Sequence, residues 1–181
     1  MSTIRQFILL TGIPGSGKSV VGECLRDEHK FDFFPTDPNF SLTDPYRNMS
    51  EFRREVELGV GDFVERWHKR HGEQVCVEWG FQPLGINKFG KSFLDEIRSF
   101  KAQRAKIFWL TCDKDIAYLN WLNSPKNKNY NPACWGQQVC RIESVGLPTP
   151  DFIVIQTHPN RKPKSPEDLA QEILFNSTLA R

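Results

Sequence analysis

The sequence predicts an α/β fold, in which helices pack on a parallel sheet, as a single domain over residues 1–181. Two observations indicate this fold. Short apolar segments alternate with helical patterns along the whole chain, as expected of β-α-β units. The chain has 181 residues, of which 39% are hydrophobic, and this is enough for one domain with a sizeable core.

A strand, a glycine-rich turn and a helix open the chain. Residues 6–10 form an apolar run, and glycines follow it. A helix is predicted over 18–27, with Val20, Val21 and Leu25 facing inward.

The second strand is predicted over 31–36, an aromatic segment that ends at Pro35 and Pro38. Two prolines forbid a continuing helix, so a loop begins there. Over 50–70, apolar residues recur at spacings of three and four, which indicates a long amphipathic helix with Ser50 as its cap.

The third and fourth strands are predicted over 74–77 and 105–111, with a helix over 93–100 between them. A helix over 113–122 follows. The segment 123–130 is polar and rich in turn-forming residues, which indicates a mobile insert.

Another helix is predicted over 132–144, and a fifth strand over 151–156. Ser165 and Pro166 are typical of a helix start, with the serine as cap and the proline in the first turn. A lid is predicted over about 123–141, across the polar insert and the helix after it.

Composition excludes some classes of function. The net charge is +2 with 25% charged residues, which disfavours the dense basic face that nucleic-acid binding needs. The longest apolar runs have four residues, whereas a membrane span needs about 20. The first residues leave no room for a signal peptide, so we expect a cytoplasmic protein. The oligomeric state stays open.

Five cysteines are present, an odd number with wide spacing. No CxxC pair occurs, and no neighbouring histidine indicates a zinc site. We expect thiols that are buried or lie in the lid, in a reducing compartment. They are Cys24, Cys76, Cys112, Cys134 and Cys140.

The motif that carries chemistry lies between the first strand and the first helix. It fits G-x-x-x-x-G-K-[ST] at every position, in the strand-loop-helix context that the motif requires. Its glycines let backbone amides point into one concavity at a helix N-terminus, where phosphate oxygens bind. The predicted nucleotide-binding residues are Gly12, Ile13, Pro14, Gly15, Ser16, Gly17, Lys18, Ser19 and Val20.

Two side chains of this loop have predicted roles. Lys18 supplies a point charge for the β- and γ-phosphates, and the Ser19 hydroxyl is placed to ligate Mg²⁺. A dinucleotide-binding loop is disfavoured, because Val20 stands where the third glycine of that pattern would be.

The sequence resembles the P-loop kinases of small molecules, the group that holds nucleoside monophosphate, shikimate, gluconate and chloramphenicol kinases, with the kinase domain of polynucleotide kinase as a relative. The match covers nearly the whole chain in element order and length. The resemblance implies a five-stranded parallel sheet of order 2-3-1-4-5, ATP and Mg²⁺, and a lid that closes over ATP.

Residues that end the predicted strands are further candidates, since ligands of parallel sheets gather at that edge. The resemblance implies that Asp37 is the catalytic base and orients the acceptor; the alternative is a turn former. Glu78 stands where relatives often keep an acidic residue that holds the magnesium shell through water; it can also bind substrate or cap the next segment. Trp79 and Phe81 form either an aromatic wall of the substrate site or part of the core.

Asp113 and His158 end the fourth and fifth strands. We expect Asp113 to cap a helix rather than bind a ligand. His158 falls where the resemblance implies the loop around adenine, although a solvated histidine is the preferred interpretation.

Basic residues complete the set of candidates. Phosphoryl transfer needs positive charge near the γ-phosphate once water is excluded, and Arg141 in the predicted lid is our candidate for it. Lys126 and Lys128 are further lid cations, with a solvated face as the alternative for all three. One of Arg53 and Arg54 can bind an anionic group of the acceptor, with solvent-facing arginines as the alternative. Both cannot face the site equally, because neighbouring helical residues diverge by about 100°.

The predicted function is a kinase that uses ATP and Mg²⁺ to phosphorylate a hydroxyl, or another nucleophile, of a small-molecule acceptor. Lys18 and Ser19 serve the phosphates and the metal, Asp37 activates the acceptor, and Arg53, Glu78 and Trp79 contribute to its site. Two alternatives stay open: a kinase of polynucleotide 5′-hydroxyl ends, and an ATP-binding switch without catalysis.

Overall fold

Five parallel strands form one sheet in the order β2-β3-β1-β4-β5, as the resemblance implied. The computed structural model describes residues 5–35, 62–79, 92–128 and 131–179. The strands are β1 (Gln6–Gly12), β2 (Asp32–Phe34), β3 (Gln74–Glu78), β4 (Lys106–Thr111) and β5 (Ile153–Gln156). The predicted fold class is confirmed, with β1 at the centre of the sheet.

Six described helices flank the sheet. They are α1 (Lys18–His29), α2 (Phe63–His71), α3 (Phe93–Ala102), α4 (Lys114–Asn123), α5 (Pro132–Ser144) and α6 (Pro166–Leu179), with 3₁₀ turns at Pro125–Asn127 and Pro159–Arg161. The structure confirms α5 at its predicted bounds, and Ser165 Oγ accepts a hydrogen bond from the backbone N–H of Asp168 at the start of α6. No helix within the described ranges is long and apolar enough to cross a membrane.

Both faces of the sheet are covered, so the central strands are apolar on both sides. Phe7 and Leu9 of β1 face a core shared with α2 and α3. Ile8 and Leu10 face the opposite core, which α1 and α6 cover. This arrangement fixes the position of the loop that links β1 to α1.

A dense aromatic cluster surrounds the amino end of β1. The Phe7 ring lies 6.1 Å from the rings of both Phe63 and Phe100, and 5.8 Å from the ring of His68. Phe63 and Phe100 are fully buried. At the edge of this cluster, Arg5 forms ion pairs with Glu65 and Glu73.

One predicted inward position in the first helix is wrong, and the next predicted helix is described only in part. Val20 was expected to face inward, but it is 51% exposed, because the buried face of α1 is set by Lys18, Val21, Gly22 and Leu25. Of the helix predicted over 50–70, the structure describes α2, which begins at Phe63 after Asp62 as its cap, with φ −108° and ψ 25°. The predicted part over 50–61 lies outside the described residues.

Gly22 allows α1 to lie close to the sheet. A Cβ atom at this position would come within 2.1 Å of the Phe33 ring in β2. The absence of a side chain therefore sets how closely the helix packs on the strand.

Candidate active site

The loop between β1 and α1 has backbone conformations that favour glycine. Gly15 has φ +87°, and a Cβ atom there would lie 1.9 Å from the Ala117 carbonyl oxygen of α4. Gly17 has φ +93°, yet no heavy atom among the described residues lies within 4 Å of its Cβ position. Gly15 is therefore a close-packing position, whereas Gly17 borders open space.

The N-terminus of α1 is aimed at this space. Its first hydrogen bond of the helical ladder runs from the N–H of Val21 to the carbonyl of Gly17, at 3.1 Å. The amides of Lys18, Ser19 and Val20 precede that ladder and carry the positive end of the helix dipole. Such an end binds phosphate oxygens without further side chains.

Backbone carbonyls of the loop hold the Lys18 side chain. The Nζ atom donates hydrogen bonds to the carbonyl oxygens of Gly12 and Ile13, at 3.2 and 3.0 Å. The side chain is 8% exposed, so these carbonyls offset the desolvation of its charge. The ammonium group is thereby fixed at the loop, where the prediction placed a phosphate-binding charge.

Ser19 and Glu78 meet across two elements. The Ser19 hydroxyl in the first turn of α1 donates to Glu78 Oε2 at 2.9 Å. Glu78 is the last residue of β3 and pairs in register with Leu10 of β1, so the neighbouring strands deliver it to the loop. The carboxylate is 8% exposed. A hydroxyl and a carboxylate side by side are the hard oxygen donors that suit Mg²⁺, and this donor set fits the predicted ion.

Side chains of helices α4 and α5 donate hydrogen bonds to backbone carbonyls of the loop. Asn120 Nδ2 donates to the Gly15 carbonyl at 3.2 Å, and Trp135 Nε1 donates to the Pro14 carbonyl at 2.9 Å. The Trp135 ring also packs edge-on against Tyr118, and Lys114 and Glu143 form an ion pair between the two helices. Sequence reasoning missed Asn120 and Trp135, because a contact over more than 100 residues leaves no local signal.

Arg141 does not share the face of α5 that touches the loop. It is exposed and lies six residues after Trp135, which corresponds to about 240° around the helix and about 9 Å along it. Lys128 is also exposed. The Lys126 side chain, Asp37, Arg53, Arg54 and Phe81 lie outside the described residues, so their roles stay predictions.

The other residues at the strand ends have structural partners. Trp79 is half-buried, and its ring meets Phe100 edge-on at 5.5 Å, which favours the core interpretation. Asp113 occupies the cap position of α4 as predicted, but its side chain makes no capping bond and accepts from Arg161 Nη1 at 3.1 Å.

Arg161 joins the ends of β4 and β5. It also pairs with Asp115, and this hydrogen bond holds the pKa of the Asp115 carboxyl below its usual value. His158 Nδ1 lies 3.0 Å from the hydroxyl of Thr157. The contacts of Arg161 join the loops that follow β4 and β5, and both loops lie at the same edge of the sheet as the glycine loop.

A glycine loop follows the central strand of a parallel sheet with the order 2-3-1-4-5, and in this fold the chain is similar to P-loop kinases of small molecules. In sequence it is 25% identical to shikimate kinase of Staphylococcus aureus (strain MRSA252) over 133 residues, which are 68% of this chain and 67% of the relative. No protein-family model matches the chain.

Solved structures of kinases are also similar to the chain in fold. Shikimate kinase from Bacteroides thetaiotaomicron is similar with a TM-score of 0.61 and 14% identity, over 96% of this chain and 99% of that one. A sugar kinase from Janibacter sp. HTCC2649 gives 0.60 and 16%, over 97% and 96%. The predicted resemblance is confirmed, and the relatives support the prediction of an ATP-dependent phosphotransferase.

Proposed function

We propose that the protein is a kinase that transfers the γ-phosphate of ATP to a hydroxyl group of a small-molecule acceptor, with Mg²⁺ as cofactor. The observation that carries this proposal is the meeting of Lys18, Ser19 and Glu78 at the mouth of the glycine loop. A loop that served only to pack a helix on a strand would not need a buried lysine beside a serine and carboxylate pair.

Each residue of this group has a distinct task in the proposed reaction. The amides at the start of α1 bind the phosphates, and Lys18 neutralises charge on the transferred group. Ser19 and Glu78 would hold Mg²⁺, directly or through water; when bound, this ion neutralises charge on phosphate oxygens.

The acceptor side of the proposal rests chiefly on Asp37 and Arg53, which lie outside the described residues. Asp37 would accept the proton of the attacking hydroxyl, and Arg53 would bind an anionic group of the acceptor. Trp79 would line the acceptor site through the exposed part of its ring. Arg141 would reach the γ-phosphate only if α5 turned relative to the loop on closure, since it lies on another face than Trp135.

A polyhydroxylated acceptor is the class to test first. The similar proteins are named shikimate kinase and sugar kinase, and both names denote substrates with several hydroxyl groups. A screen of shikimate, gluconate, sugars and nucleosides should identify an acceptor that raises ADP release above the level with ATP alone. Phosphorylated acceptor and ADP should then form in equal amounts.

Three variants assign the roles once an acceptor is known. We expect Glu78→Gln and Ser19→Ala to raise the Mg²⁺ concentration needed for half-maximal rate, because each removes a metal-holding oxygen or its charge. Asp37→Asn should lower kcat by roughly 10²–10⁴-fold, as loss of a general base does. The matched control is Lys69→Ala, an exposed side chain on α2.

The same assay separates the competing functions. Label transfer from ATP to the 5′-hydroxyl of an oligonucleotide, with no transfer to metabolites, would replace our proposal with a polynucleotide kinase. Tight ATP binding without turnover against every acceptor would favour a binding switch. Absence of ATP binding to the loop would overturn the proposal as a whole.

A further inference from the structure

A cysteine, a histidine and a glutamate meet at the end of α1 that is remote from the phosphate loop. Cys24 Sγ lies 3.4 Å from Glu167 Oε2, and His29 Nε2 lies 3.2 Å from the same oxygen. Within the described part of the chain, this is the one group of three such side chains whose ligand atoms all lie within 4.8 Å of one another. The spacing of these residues in the sequence does not indicate such a cluster, because it is the α1 backbone and the start of α6 that bring the three side chains together.

We propose that Cys24, His29 and Glu167 form a binding site for Zn²⁺, with water as the fourth ligand. Zinc takes thiolate, imidazole and carboxylate ligands at about 2.3, 2.0 and 2.1 Å in a tetrahedron. These bond lengths imply ligand separations of about 3.3 Å between nitrogen and oxygen and about 3.6 Å between sulfur and oxygen. The observed separations of 3.2 and 3.4 Å are close to these values, and the sulfur and nitrogen atoms lie within 4.8 Å of each other.

The carboxylate is oriented by a further residue. Gln171 Nε2 donates to Glu167 Oε1 at 2.7 Å, one turn along α6, which leaves Oε2 facing the thiol and the imidazole. The hydrogen bond from Gln171 holds the pKa of Glu167 below its usual value, so the carboxylate is charged. An outer partner of this kind is typical of metal ligands, whose geometry it fixes.

The Cys24 thiol donates to Glu167 Oε2 in the structure. Burial, followed by the hydrogen bond to Glu167, raises the pKa of Cys24 to about 11. On binding, zinc takes the position between sulfur and oxygen, and the thiol proton leaves to solvent. The His29 side chain is 19% exposed and that of Glu167 49%, so an ion can enter and a water molecule can complete its shell.

The test uses the whole chain, stripped of metal by a chelator and titrated with Co²⁺ and then Zn²⁺. We expect one equivalent of Co²⁺ to give a thiolate-to-cobalt charge-transfer absorption that Zn²⁺ displaces. Cys24→Ser should abolish the absorption, and Glu167→Gln and His29→Gln should each weaken Zn²⁺ binding at least tenfold. Gln171→Ala should weaken it by roughly 10–100-fold, as loss of an outer partner does.

Cys140→Ser is the matched control, since Cys140 is an exposed thiol on α5. It should leave the absorption and the affinity for Zn²⁺ unchanged. The proposal is overturned if no charge-transfer absorption appears, if it survives in Cys24→Ser, or if it disappears in Cys140→Ser. Circular dichroism of each variant establishes that a lost signal does not come from unfolding. If Cys24→Ser fails to fold, the loss of Zn²⁺ affinity in Glu167→Gln, which keeps the shape of the side chain, tests the site instead.

Discussion

The two ends of strand β1 differ in what surrounds them. At the amino end, Phe7 packs against Phe63, Phe100 and His68 in a buried aromatic cluster. At the carboxyl end, the strand runs into a glycine loop whose carbonyls hold the Lys18 ammonium group. Apolar contact stabilises the first end, whereas the second buries charge and leaves room beside Gly17. The residues that stabilise the fold and the candidate active-site residues therefore lie at opposite ends of one strand.

Lys18→Ala gives the largest expected effect, at the carboxyl end. Phosphoryl transfer should fall by at least roughly 10³-fold, because a preorganised charge at the transferred phosphate is lost. The free energy of unfolding should change little, since removing a desolvated charge offsets the two hydrogen bonds that are lost. Initial rates and urea denaturation of the same preparation measure both; a large loss of stability would contradict the separation of the two ends.

Phe63→Ala is the complementary change at the amino end. Truncating a fully buried phenylalanine should cost about 3–5 kcal/mol of the free energy of unfolding, through lost contact and a cavity. The rate per folded molecule should stay close to that of the unchanged protein. If ATP binding weakened in proportion to the loss of stability, the two ends would not be independent.

Two glycine substitutions distinguish packing from nucleotide binding within the loop. Gly15→Ala places a methyl group against the Ala117 carbonyl, so it should lower the melting temperature by displacing α4. Gly17→Ala should cost about 1–2 kcal/mol through its left-handed backbone alone, yet weaken ATP binding because its methyl occupies the ligand space. Calorimetry and nucleotide titration distinguish them, and equal effects on stability and binding in both variants would contradict this assignment.

Trp135→Phe tests the contact between α5 and the loop. The substitution keeps a ring beside Tyr118 but removes the hydrogen bond to the Pro14 carbonyl, which should cost about 1 kcal/mol. Chemical denaturation measures this cost. Leu122→Ala, at an exposed position of α4, is the control and should change stability much less.

His68 gives the smallest effect, through pH. Burial lowers its folded pKa below the ordinary value, so the unfolded chain binds a proton more readily than the folded one. Stability is therefore full above about pH 6.5 and falls as the pH drops from there through the lower folded value. Denaturation at several pH values should show this slope, and His68→Gln should flatten it; an unchanged slope in the variant would exclude His68 as the cause.

Much of the fold was accessible to sequence reasoning because its signals are local. The glycine loop is a contiguous motif, and α5 begins at Pro132 after Asn131, whose side chain accepts from the backbone N–H of Ala133. Strand ends follow from where apolar runs stop. The strand order came from the resemblance, since no local pattern specifies which strands are neighbours.

Contacts between distant segments were not accessible in the same way. Glu78 was a candidate because it ends a strand, but its bond to Ser19 depends on β3 lying beside β1 with Leu10 opposite Glu78. Trp135 and Asn120 reach the loop from another layer, and Cys24 and Glu167 are 143 residues apart.

Gly22 also bears on the N-terminal end of α1, where Ser19 meets Glu78. Because the helix rests on the Phe33 ring at this point, a methyl group at residue 22 would act as a wedge beneath the first half of the helix. Either that ring or the helix would have to shift, and a shift of the helix would move the Ser19 hydroxyl relative to Glu78. The contact between Ser19 and Glu78 is thus sensitive to a glycine that lies outside the loop motif.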